Sequence, residues 1–274
     1  MTLDGAPDDT GGSPGRYSAV LTEAWTIGPK AHGGVLLALC AKAARTELGR
    51  ESPEREGPGI RGMEPVAVSA GYLHAPDPGP VDLAVTVVKR GRTVSVVDVE
   101  LGQSGRPAVR ASVTLGFLDA GAPRHAAANR DQPVEPPADA VDVAGHPSGT
   151  LMNLAGVCDL RVEKATAPYL DGRTDPEAEV RLWVRPHAEE PDVLFALMAG
   201  DVGPPVTLNH GLAGWAPTVQ LTALLRARPA PGWLRVQMSS HTVGRVWFDE
   251  DAVVLDSTGS LVCQTRQLAL APGR

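Results

Sequence analysis

The chain has 274 residues, 43% hydrophobic and 21% charged, enough to fill one large core or two mid-sized ones. Its net charge of −7, from 25 basic and 32 acidic residues, argues against a protein that tracks nucleic-acid phosphates. No apolar run approaches the roughly 18–20 residues of a membrane span, and the longest, 35–44, is broken by Lys42. Residues 1–16, rich in Gly, Pro and Asp, read as a disordered tail, neither signal peptide nor anchor. Cys40, Cys158 and Cys263 are scattered among apolar neighbours and read as reduced thiols of a cytoplasmic protein.

In chain order, residues 17–25 read as a strand and 33–48 as a helix, with a Pro- and Gly-rich loop over 53–65. Strand-like runs follow at 66–74, 81–90, 93–101 and 108–117. Residues 119–150, rich in Ala, Pro and Asp and without any period, read as a semi-extended linker. The order then repeats: a strand over 179–185, a short apolar helix over 192–200, and strands over 218–226, 234–241, 246–255 and 261–270. Hairpin signals at Arg90-Gly91 and Val243-Gly244, and at Ser104-Gly105 and Thr258-Gly259, lie 153 and 154 residues apart. The chain therefore divides into a tail (1–16), a first β-α-β-β-β-β unit (17–118), the linker (119–150) and a second unit (151–274).

The first helix is apolar nearly all round, which predicts burial on most of its surface. The strands alternate, as in Val81, Leu83, Val85 and Val87. A buried helix wrapped by a curved antiparallel sheet is the hotdog architecture, and two in tandem make an α+β double hotdog.

The duplication acts as an internal control. On the last strand the first unit turns Val109, Ala111, Val113 and Leu115 inward, whereas the second turns in Leu261, Cys263, Thr265, Gln267 and Ala269. Gln267 falls opposite Val113, and a buried amide without partners costs roughly 1–3 kcal/mol. Asp201 follows an apolar helix whose counterpart is acid-free over 37–44, although the hairpin offset places it nearer Glu47. Thr218 opens a strand where the first unit has Val66 or Ala67. Each has a structural reading too: Asp201 as a turn residue before Gly203-Pro204-Pro205, Gln267 bonded to backbone, Thr218 an ordinary β-former. Thr218, Gln220 and Thr222 also share a face that solvent can take.

Three stretches carry a resemblance: Trp25-Thr-Ile-Gly28 with His32-Gly-Gly-Val-Leu-Leu-Ala38, Ala199-Gly-Asp201-Val-Gly-Pro-Pro205, and residues 255–267 ending in Cys263-Gln-Thr-Arg-Gln267. The sequence resembles the acyl-CoA thioesterase II (TesB-like) family of double-hotdog proteins, in an actinobacterial style, from about residue 17 to 270. The resemblance implies that Asp201, Thr218 and Gln267 orient the water that hydrolyses an acyl-CoA or acyl-carrier thioester. At Thr218 the match departs from the Thr-Ile-Asp-His of enteric members, and Thr222 competes for the role. The resemblance implies no cofactor and no metal, a fatty-acid-metabolic setting and association into a homo-oligomer, with neither membrane nor nucleic acid as partner.

The chemistry of those groups fits. Asp201 suits a base, Thr218 and Gln267 suit positioning, and helix N–H groups near Gly33 and Gly34 suit an oxyanion. The two glycines also read as merely opening a buried helix, and His32 reads as structural or rim-exposed. Arg90, Arg92 and Arg245 flank turns and have two readings, as contacts for coenzyme A phosphates or as solvated turn residues. Two alternatives stand beside hydrolysis. One is a non-catalytic acyl-binding or scaffold protein. The other is an enoyl-CoA hydratase or dehydratase, whose Gly-Asp-x-Asn-Pro pattern is matched only in part by Gly200-Asp201-Val202-Gly203-Pro204. No G-x-S-x-G elbow or G-x-G-x-x-G dinucleotide fingerprint occurs between a strand and a helix, since the bare patterns at 11–15 and 57–62 lie in the tail and in the loop before a strand, and there is no P-loop or zinc spacing.

Overall fold

The computed structural model describes residues 14–50, 62–126, 131–146, 150–175, 177 and 179–273. The expected tail over 1–16 and loop over 53–65 fall largely outside them. The first half comprises β1 (Gly15–Leu21), β2 (Thr26–Ile27), β3 (Lys30–Ala31), α1 (Gly33–Arg50), β4 (Glu64–Tyr72), β5 (Gly79–Lys89), β6 (Val94–Gln103) and β7 (Arg106–Gly116). The remainder comprises β8 (Val141–Asp142), β9 (Cys158–Val162), β10 (Glu179–Pro186), α2 (Val193–Ala199), β11 (Thr218–Leu225), β12 (Leu234–Ser239), β13 (Trp247–Leu255) and β14 (Leu261–Leu270).

Twelve strands form one antiparallel sheet in the order β1-β5-β6-β7-β4-β11-β14-β13-β12-β10-β9-β8, and β2 and β3 make a separate hairpin. Outwards from the β4–β11 seam, each half runs through its second, fifth, fourth, third and first long strand. Alternation fixes the register: Val97 faces Val113, Val99 faces Ala111 and Leu101 faces Val109, all buried. α1, with twelve buried residues, packs on β4 to β7; α2 packs on β11, β12 and β14, and the helices touch, so one core spans both halves. No helix among the described residues is long and apolar enough to cross a membrane.

Two local expectations change. The strand expected over 17–25 stops at Leu21, and Glu23–Trp25 form a 3-10 turn. Leu21 pairs with Gly79, the first residue of β5, and Pro78 before it has no N–H to extend the ladder. Within 119–150, β8 joins the sheet edge through β9, a strand the sequence reading left out. Gln132 is buried and its side-chain amide donates to Leu182 O at 3.0 Å, its backbone carbonyl accepts from Arg235, and Pro133 O accepts from Trp183 Nε1 at 2.8 Å. This segment closes over Trp183, which is fully buried.

The halves are also tied by charge. The Glu64 carboxylate, 7% exposed, accepts from Arg45 of α1 at 2.7 Å and from Arg228 beyond β11 at 2.6 Å. Both arginines reach solvent, at 34% and 63% exposure, so they rehydrate if the carboxylate is lost. Glu64→Gln is expected to lower stability by about 1–2 kcal/mol, read as a lower urea midpoint at unchanged slope. An unchanged midpoint would mean that the clamp contributes nothing.

Candidate active site

A cavity of about 940 Å³ opens between the halves. The first half lines it with His32, Gly33, Leu36 and Tyr72, and the second with Asp201, Thr218, Phe248, Glu250 and Gln267.

Asp201 arrives on the turn that ends α2. Asp192 caps the helix start by accepting from Phe195 N, the Asp201 N–H donates to Met198 O, and Thr265 Oγ1 holds Gly200 O at 2.6 Å. The turn abuts the first turn of α1. A Cβ on Gly33 would lie 2.8 Å from Asp201 Oδ2, so only glycine admits this approach. Burial raises the Asp201 pKa, while the nearby His32 ring and the Gly34 N–H oppose the shift. His32, 5% exposed, is a buried brace and not a rim residue. Its Nδ1 accepts from Val35 N at 3.3 Å, which leaves Nε2–H to donate to Asp201 O at 2.9 Å. Nε2 also lies 3.8 Å from Asp201 Oδ2, and Tyr72 OH donates to Gly33 O.

Thr218 and Gln267 meet as a pair. Gln220, Thr222 and Leu224 lie on the outer side of β11, where Thr222 Oγ1 is 3.0 Å from Ser69 Oγ. A register shift between Thr218 and Gln220 leaves Val219 without a partner and puts Thr218 opposite the buried Ala269. This bulge turns Thr218 to the inner side, as bulges beside sites often do. Its hydroxyl donates to Gln267 Oε1 at 2.6 Å.

The chain of hydrogen bonds runs on to a residue the sequence reading passed over. Gln267 Nε2 donates to Glu250 Oε1 at 2.8 Å, and Glu250 Oε2 accepts from Val206 N at 2.9 Å. Glu250 is 4% exposed; burial, with Asp201 and Asp249 nearby, pushes it up to about 8. The signal was available: Phe248, Glu250, Ala252 and Val254 are the buried set of β13. Glu250 pairs with Gln267 where, 153 and 154 residues earlier, Val97 pairs with Val113.

Other candidates lie elsewhere. Arg90, Arg92 and Arg245 do not line the cavity, whereas Arg173 does, and Arg90 donates to Leu48 O near the end of α1. The three thiols are buried and pushed up to about 12, so none is a thiolate nucleophile. His241, Asp249 and Asp251 bring ligand atoms within 4.8 Å of one another. There Asp249 already accepts from His241 N and Thr242 N, and Asp251 from Arg266.

Comparison with known proteins places both halves. Residues 21–116 match the family described as the acyl-CoA thioesterase N-terminal domain, and 131–271 match its C-terminal domain. The chain is 47% identical to an uncharacterised protein of Mycobacterium tuberculosis, over 94% of this chain and 91% of that one. It is similar to a Thermobifida fusca structure described as a thioesterase II, with TM-score 0.80 and 28% identity, covering 100% of this chain and 96% of that one. A hot dog fold protein from Alicyclobacillus acidocaldarius, at 20% identity, matches with TM-score 0.76 over 100% of this chain and 96% of its own.

Proposed function

Because the chain belongs to the acyl-CoA thioesterase family, matching its N- and C-terminal domains in order, we propose that it hydrolyses thioesters of coenzyme A or of an acyl carrier. In this reading the halves are tandem hotdog units of TesB-like type, and Asp201, Thr218 and Gln267 orient the attacking water. The observation that carries it is a buried carboxylate, braced at a helix N-terminus, on the same cavity as a hydroxyl–amide pair.

The hydrogen-bond directions support a division of roles. Thr218 spends its proton on Gln267 Oε1, so its oxygen faces the cavity as an acceptor. A water there donates one proton to Thr218 Oγ1 and the other to Asp201, which turns a lone pair toward the thioester carbon. As the C–O bond forms, Asp201 takes the water's proton and the carbonyl oxygen becomes an oxyanion. In the first turn of α1, Gly34 N–H serves Asp201, Val35 N–H serves His32 Nδ1 and Leu36 N–H serves His32 O. Gly33 N–H is left for the oxyanion. Collapse breaks the C–S bond, and the thiolate leaves with the proton Asp201 held. The products are a carboxylic acid and a thiol.

The test is release of free thiol by the purified chain from acyl-CoA and acyl-carrier thioesters of graded length. Turnover on at least part of the series is expected. No release from any of them would favour a non-catalytic acyl-binding protein.

A further inference from the structure

We propose that Glu250 is a positioning residue for this reaction: it fixes the direction of the Gln267 amide and, through it, the direction of the Thr218 hydroxyl. The inference rests on the thioesterase reading and adds a residue to it. A carboxylate only accepts hydrogen bonds, whereas a primary amide donates at one end and accepts at the other. Glu250 Oε2 is engaged by Val206 N–H, and Oε1 is presented to Gln267. Gln267 must therefore turn Nε2 toward Glu250 and Oε1 toward Thr218, and the hydroxyl must donate. With Glu250 ionised, every group in the row is committed to one direction, ending in a lone pair at the water. Without an acceptor at position 250 the amide turns over, Thr218 accepts from it, and the hydroxyl proton points into the cavity. It then competes with the water's own proton for that place.

The surroundings support a fixed acceptor. Acting on Glu250 are Asp201 from the turn after α2, Gln267 from β14, the Val206 N–H and, from the opposite face of its own strand, the charge of Asp249. No ion pair joins Glu250 among the described residues, so neutralisation by a cation is not its task. A second carboxylate buried without a cation is a cost to the fold, and the Val97–Val113 pair shows that the same position can be filled with apolar side chains.

The test uses E250Q and the exchanged pair E250Q/Q267E, assayed on the best thioester beside wild type and D201N at about pH 9, above the point near 8 where Glu250 ionises. In E250Q the new amide must keep its oxygen on Val206 N–H, so it offers an N–H to Gln267 and reverses the row. In the exchanged pair, a carboxylate at 267 accepts from both neighbours and Thr218 donates again. Expected are a kcat at least about 30-fold lower in E250Q with KM within about threefold, and recovery of at least about tenfold in the exchanged pair. The proposal is overturned if E250Q keeps kcat within threefold, or if the exchanged pair is no faster than E250Q. Should E250Q fail to fold, the comparison is made against Q267E, which the exchanged pair must exceed by about tenfold. Wild-type inactivity would remove the thioesterase reading itself. Wild-type turnover that D201N abolishes and E250Q leaves intact would keep that reading and sink only this proposal.

Discussion

Asp201→Asn is expected to lower kcat by at least about a hundredfold while leaving the fold as stable as before, or more so. The rate effect follows from the role: an amide cannot take a proton from water, and a positioned base contributes about 10²- to 10⁴-fold. The stability effect follows from burial. The Asp201 pKa is raised in the folded chain above its ordinary value, so the folded state holds this proton more tightly than the unfolded state does. The stability contributed by that proton is present at low pH and lost as pH rises through the folded pKa. Above that folded pKa the buried charge is a cost that asparagine removes, while its side-chain oxygen still accepts from Gly34 N–H. The melting temperature of the variant should therefore equal or exceed that of wild type at pH 8, by about 2 °C or more for each kcal/mol recovered. A structural Asp201, present only to close its turn, gives the opposite pair of results: activity kept and stability lost.

Gly34→Ala and Gly49→Ala make the second test, because one substitution in one helix should act with opposite signs. Alanine ordinarily stabilises a helix by up to about 1 kcal/mol relative to glycine. Gly49 is exposed near the end of α1 with nothing within 4 Å of an added Cβ, so a gain of that size or smaller is expected there. At Gly34 the Cβ would stand 2.8 Å from Met198 O, 2.9 Å from Asp201 Cβ and 3.1 Å from His32 Cε1. Two of these atoms belong to backbone or lie one bond from it, so the helix and the α2 turn must separate. The expected cost is about 2 kcal/mol or more, with thioester turnover falling because Asp201 is displaced. Denaturant midpoints for the two variants, read beside their rates, check both signs. Equal effects would mean that the helix–turn contact is not tight.

Much of this arrangement was legible because burial writes a period into the sequence. β14 lies where its alternation put it, and the all-round apolar character of α1 matches a helix buried between a sheet and a second helix. What escaped was structure without a period. Gln132 and Pro133 are held through an amide and carbonyls, so a Pro-rich stretch that reads as a linker closes over Trp183 unannounced. The side that Thr218 faces depends on a bulge, whereas strict alternation groups it with Gln220 and Thr222 and leaves its side open. Glu250 was legible in principle, as an acid at an inward position of β13 between two outward acids, Asp249 and Asp251. His32 reads from sequence as either structural or rim-exposed, and only the approach of the α2 turn decides for the brace.

In the proposed reaction Asp201 acts as a base on water, and no carboxylate forms a bond to the acyl group. A single turnover in ¹⁸O-water, with the chain in excess over an acyl-CoA, tests this most directly. General-base hydrolysis by Asp201 predicts one ¹⁸O atom in every molecule of released acid and none in Asp201 or Glu250. Unlabelled acid together with ¹⁸O in either side chain would show that a carboxylate attacked the thioester, and would contradict it.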